Sequence, residues 1–132
     1  MKDSNTLHAI CRDTLPPVNY LNATSEVLIE FVHDLNSVIG DVSVAYTFDA
    51  GPNCFLVFQE KHEHLLKWVL SQTFVDSKDL LFDTEKPKFD NDENLYADLI
   101  KRYQSNNAKV IKDFYCTQVG SGPKVVKRPT II

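Results

Sequence analysis

The sequence predicts an α+β fold, a small antiparallel sheet with helices packed on one face. Three observations carry that reading. Apolar residues recur at three- and four-residue steps ahead of two short runs rich in β-branched and aromatic residues. A turn containing Gly and Pro separates those runs, and helical spacing returns after them. At 132 residues the chain has room for one domain around one core, and not for two.

The elements follow in order. Residues 3–13 suit a short helix, stopped ahead of Pro16-Pro17, which cannot continue one. Leu28, Phe31, Val32, Leu35, Val38 and Ile39 mark one apolar face of a second helix. Asn22 or Thr24 is its N-cap and Gly40 its stop. Residues 41–48 read as a strand, Asp49-Ala50-Gly51-Pro52-Asn53 as a turn, and residues 54–58 as a second strand, together a hairpin. Residues 60–74 return to helical spacing through Leu65, Leu66, Trp68, Val69 and Leu70. The polar run 83–94, with Pro87 inside it, predicts an exposed loop. A further helix carries Leu95, Leu99 and Tyr103 four apart, and a last strand is expected within 112–119, before Gly120-Ser121-Gly122-Pro123.

Composition narrows function by exclusion. The 14 Lys and Arg against 18 Asp and Glu give a net charge of −4, which argues against a nucleic-acid binder relying on positive charge. No apolar run approaches the ~20 residues a membrane span needs. The opening Met1-Lys2-Asp3-Ser4-Asn5 has no signal-peptide character, so the chain reads as cytoplasmic. On that reading the Asn22-Ala23-Thr24 sequon is idle, and Cys11, Cys54 and Cys116 are expected as buried free thiols.

Several groupings invite a chemical reading. His62-Glu63-His64 has metal-binding composition, but side chains two apart on a helix point about 200° from each other, so they suit a solvated first turn. Gly120-Ser121-Gly122 lacks both the Walker lysine and the third glycine of a dinucleotide fingerprint, and reads as a turn. Lys109, Lys112, Lys124, Lys127 and Arg128 make the tail basic, as a solvated face usually is. Asp49 is the most informative residue. It follows an apolar strand and opens a turn, where a carboxylate can be held rigidly against a ligand, although Asp before Gly and Pro is also ordinary turn chemistry.

Residues 45–53, Ala-Tyr-Thr-Phe-Asp-Ala-Gly-Pro-Asn, resemble a signature of the diphosphomevalonate decarboxylases of the GHMP kinase superfamily. Met1-Lys2-Asp3-Ser4-Asn5, His8-Ala9, Cys11, Asp13-Thr14, Pro16-Pro17, Tyr20-Leu21-Asn22 and residues 117–123 agree in the same order. Between residues 61 and 108 no family motif is evident. The family also carries an N-terminal half with a Gly- and Ser-rich ATP loop, and this sequence has no such loop.

The resemblance therefore implies a GHMP-kinase-like C-terminal domain over 1–123 with a tail over 124–132, the ATP-binding domain being absent. It implies a lyase of isoprenoid and sterol precursor synthesis. ATP phosphorylates the 3-hydroxyl of mevalonate 5-diphosphate, and loss of that phosphate with decarboxylation gives isopentenyl diphosphate, ADP, phosphate and CO2. Asp49 matches the catalytic aspartate, and the backbone at Ala50 and Gly51 would line the substrate pocket, where small side chains permit close approach. An ordinary carboxylate is a weak base for an alcohol, so orienting the hydroxyl and stabilising positive charge at C3 would matter as much as proton removal. ATP with Mg2+ would be bound mainly by the missing domain, and the chain alone is expected to be inactive. A face left bare by that domain would favour self-association as a homodimer. The competing reading is a non-catalytic α+β module that binds a partner protein.

Overall fold

A computed structural model of the chain describes residues 1–74, 85–89, 92–107 and 110–123. Its elements are α1 (Lys2–Arg12), α2 (Ala23–Ile39), β1 (Val44–Phe48), β2 (Cys54–Phe58), a 3-10 turn (Glu60–His62), α3 (Glu63–Thr73) and α4 (Glu93–Asn107). Among the described residues the sheet is the antiparallel pair β1–β2, with Val44 opposite Phe58, Tyr46 opposite Leu56 and Phe48 opposite Cys54.

The second helix begins and ends where the sequence places it. Asn22 Oδ1 accepts the Ser25 amide at 2.9 Å, and Ser25 Oγ accepts the Asn22 amide at 3.3 Å, a reciprocal cap on the first turn. The sequon asparagine is thus occupied as a helix cap. At the other end Gly40 takes φ 84°, a left-handed conformation that a side chain would disfavour, and returns its N–H to the Asn36 carbonyl at 2.9 Å. Between the caps Leu28, Phe31, Val32 and Leu35 are buried against Val44, Tyr46 and Phe48 of β1. The expected packing of this helix on one face of the hairpin is what forms.

Leu66, Val69 and Leu70 from α3, Phe74 at its C-cap, and Tyr96, Leu99 and Tyr103 from α4 complete the core. Phe31 lies at its centre, edge-on to Phe74 at 5.0 Å and to Tyr103 at 5.3 Å between ring centroids. At the rim, Asp34 Oδ2 accepts from Arg102 Nη1 at 2.6 Å and from Tyr103 Oη at 2.8 Å, tying α4 to α2. Burial, and then the nearby Asp34 carboxylate, raise the Tyr103 phenol above its ordinary range, so it stays a neutral donor.

Several local expectations are corrected. The first strand starts at Val44 rather than 41, because Asn36 takes over the pairing there. Its Oδ1 accepts from the Ser43 and Val44 amides, each at 2.9 Å, and its Nδ2 donates to the Val44 carbonyl at 2.8 Å. On α4 the buried set is Tyr96, Leu99 and Tyr103, while Leu95 is 46% exposed, and the helix starts at Glu93 inside the expected loop. The rest of that loop is irregular at 85–89, with residues 83, 84, 90 and 91 outside the described part.

Residues 112–119 are not a strand: Ile111 donates to the Phe74 carbonyl at 3.2 Å, and beyond it the chain makes no ladder. A strand forms only against a neighbour, and Tyr115 and Val119 lie exposed with no strand alongside among the described residues. The three cysteines are free but not buried as expected, since Cys11 and Cys54 are half-buried and Cys116 is exposed.

Asn36→Ala is expected to lower stability by about 1–3 kcal/mol in urea denaturation, because it strands buried backbone groups at the start of β1. A loss below a few tenths of a kcal/mol would show that water replaces the amide there.

Candidate functional site

Asp49 directly follows β1, and both it and Ala50 are exposed while Gly51 is half-buried. Asp49 is exposed, and among the described residues its carboxylate has no hydrogen-bond or ion-pair partner. Gly51 has an ordinary φ, and a Cβ built on it would meet nothing within 4 Å. Neither backbone strain nor internal packing therefore requires glycine there.

The strand end behind Asp49 is held firmly, and by α1. Ser4 Oγ accepts the Phe48 amide at 3.0 Å and donates to the Phe48 carbonyl at 3.2 Å. His8 Nε2 donates to the same carbonyl at 3.1 Å. One residue along, Asn5 and Tyr46 exchange two bonds, Asn5 Nδ2 to Tyr46 Oη at 2.9 Å and Tyr46 Oη to Asn5 Oδ1 at 3.1 Å. Ser4 and His8 are both buried, and the His8 ring stands edge-on to Tyr20 at 6.3 Å and to Phe48 at 6.5 Å. Opposite Phe48 on β2, burial pushes the Cys54 thiol up to about 12, so that it remains neutral beside the strand end.

In the sequence, Ser4, Asn5 and His8 stand out only within the family-like strings Met1-Lys2-Asp3-Ser4-Asn5 and His8-Ala9. A signal was available: Ser4 and His8 are four apart on one helix face, the spacing at which two side chains can meet one partner.

The other groupings separate. His62 closes the 3-10 turn with its Nε2 buried and unpartnered, while His64 Nε2 donates to the Glu85 carbonyl at 2.8 Å. The expected solvated first turn is thus only partly solvated. Between them Glu63 pairs with Lys67 and accepts from Cys116 Sγ at 3.6 Å. The Lys67 ammonium bonded to Glu63 holds its carboxyl below the usual range. Gly120-Ser121-Gly122 is an exposed bend with Gly122 at φ 83°. Lys109, Lys124, Lys127 and Arg128 lie outside the described residues. Among the described residues no three His, Cys, Asp or Glu side chains are placed to share a metal ion, and no helix is long and apolar enough to cross a membrane.

Helices packed on a two-stranded hairpin, with the Asp49 carboxylate carried just past the strand end, define a small α+β domain. The comparisons make it particular. The mevalonate 5-diphosphate decarboxylase C-terminal domain family matches residues 1–126, and the chain belongs to that family. The diphosphomevalonate decarboxylase of Saccharomyces cerevisiae is 38% identical over 131 residues, covering 94% of this chain and 32% of that protein. The Homo sapiens enzyme of the same name is 59% identical over 56 residues, covering 42% of this chain and 14% of that protein.

Among solved structures, a crystal structure of mevalonate 5-diphosphate decarboxylase aligns with TM-score 0.58 at 32% identity, over 91% of this chain and 27% of that one. Mevalonate diphosphate decarboxylase from Trypanosoma brucei aligns with TM-score 0.61 at 27% identity, over 83% and 29%. The chain thus spans about a third of the length of the decarboxylases it matches along most of its own length.

Proposed function

We propose that residues 1–123 act as the C-terminal domain of an ATP-dependent diphosphomevalonate decarboxylase, with Asp49 as its catalytic carboxylate. The observation that carries the proposal is Asp49 itself, exposed and without a partner among the described residues, just past a strand whose last residue is tied down at both backbone groups. A carboxylate so placed can orient the substrate's tertiary hydroxyl and oppose positive charge growing at C3 as the phosphate departs, before the electron pair released with CO2 closes the double bond. The open space around Gly51 supports its role, since a glycine without an internal reason suits a backbone that a substrate approaches closely.

The described residues do not fit ATP with Mg2+. They hold no cluster of metal ligands, and the sequence has no phosphate-cradling loop. Binding of the nucleotide falls instead to the N-terminal part of a full-length decarboxylase. The outer hairpin face bears Phe55 and Val57, 56% and 64% exposed. It supports the proposed burial against that part, or self-association as a homodimer in its absence.

Alone, the chain is expected to release neither phosphate from ATP nor CO2 from mevalonate 5-diphosphate, because phosphoryl transfer depends on positioning supplied elsewhere. Joined to the remainder of the Saccharomyces cerevisiae relative, it should restore CO2 release. A folded chimaera that binds both substrates yet releases no CO2 would count against the decarboxylase reading and favour a non-catalytic interaction module.

A further inference from the structure

We infer that Ser4 and His8 are positioning residues for Asp49, an inference that rests on the catalytic reading of that carboxylate. The Phe48 carbonyl belongs to the peptide plane that joins Phe48 to Asp49. It receives two donors, Ser4 Oγ at 3.2 Å and His8 Nε2 at 3.1 Å, which occupy both its lone pairs. Ser4 also takes the Phe48 amide at 3.0 Å, so both backbone dipoles of the last strand residue are fixed by one hydroxyl.

Both side chains are buried, at 7% and 5% exposure, so bulk water does not compete for these bonds. Tyr20 and Phe48 stand edge-on to the imidazole and limit its rotation.

Past that peptide no other described residue bonds the carboxylate. Among the described residues, 49–53 make no hydrogen bond of their own. The direction in which Asp49 leaves the strand is therefore set from behind, by α1. The same edge of β1 is capped at its other end by Asn36 on Val44, but that cap leads into no candidate catalytic group. The pair at Phe48 does, and a displacement of ~1 Å at a reacting group can cost roughly 10²-fold in rate.

The kinetic test uses a full-length decarboxylase carrying this domain. Ser4→Ala and His8→Ala are expected to lower kcat by roughly 10- to 10²-fold while KM for the diphosphate substrate moves less than about threefold. His8→Gln, whose amide Nε2 can reach the place of the ring Nε2, should recover most of the loss. In the present chain, hydrogen exchange at the Phe48 amide should accelerate about tenfold or more in Ser4→Ala, while the ladder amides of Ala45 and Thr47 keep their protection.

Turnover within about twofold of the parent in both alanine variants, with Asp49→Asn inactive, would overturn the positioning role and leave Asp49 catalytic. Normal turnover in Asp49→Asn would overturn the catalytic reading and this inference with it. If Ser4→Ala does not fold, the two His8 variants decide, and His8→Gln no better than His8→Ala overturns the donor role.

Discussion

Replacing Asp49 by Asn in a full-length decarboxylase carrying this domain is expected to lower turnover by roughly 10²–10⁴, with a much smaller change in substrate affinity. The substitution keeps size and shape while it removes the negative charge and turns one acceptor oxygen into an N–H donor. Asp49 is exposed, and no described side chain depends on its carboxylate, so stability should barely move. The diphosphate is proposed to be held elsewhere, so the loss should fall on kcat, as it does for an interaction made in the transition state. Steady-state kinetics at saturating ATP would measure it. Near-normal turnover would reduce Asp49 to a turn residue.

The second large effect is on folding. Phe31→Ala should destabilise the chain by about 3–5 kcal/mol, the usual loss when a buried phenyl ring leaves a cavity. Phe31 is fully buried on α2 and touches Phe74 and Tyr103 edge-on, so its removal loosens the joints to α3 and α4 together. A domain of ordinary stability holds only about 5–15 kcal/mol in all. Phe31→Leu should recover more than half of the loss. Urea denaturation with matched slopes would give both values, and a loss under about 1 kcal/mol for Phe31→Ala would mean that the core closes over the gap.

Legibility in the sequence followed the range of the interaction. Helix α2 could be read because its apolar period, its Asn22 cap and its Gly40 stop all lie within one short segment. The hairpin could be read because two strand-like runs flank one turn. Asp49 was visible as a residue from its place after the strand and from the family string around it. What holds that strand was only half visible: the four-residue spacing of Ser4 and His8 marks a shared helix face, but nothing local names a partner carbonyl 44 and 40 residues away.

Asn36 escaped for a related reason, as an amide inside an apolar helix stripe whose partners are main-chain atoms seven and eight residues on. Residues 112–119 show the reverse case: a strand-like local pattern was present, but among the described residues no neighbouring strand lies beside it.

The long reach between α1 and the end of β1 also sets an order of folding. The hairpin strands are separated by five residues, whereas closing Ser4 onto Phe48 spans 44. By chain entropy alone the longer closure costs about 2 kcal/mol more, so helix α2 and the hairpin should assemble before α1 docks. Until it does, the chain already has its strand, its turn and most of its core, but the peptide leading into Asp49 is still free to swing. Protection of the Phe48 amide should therefore arrive late in refolding, after that of the ladder, and the aim of the carboxylate is among the last features the molecule acquires.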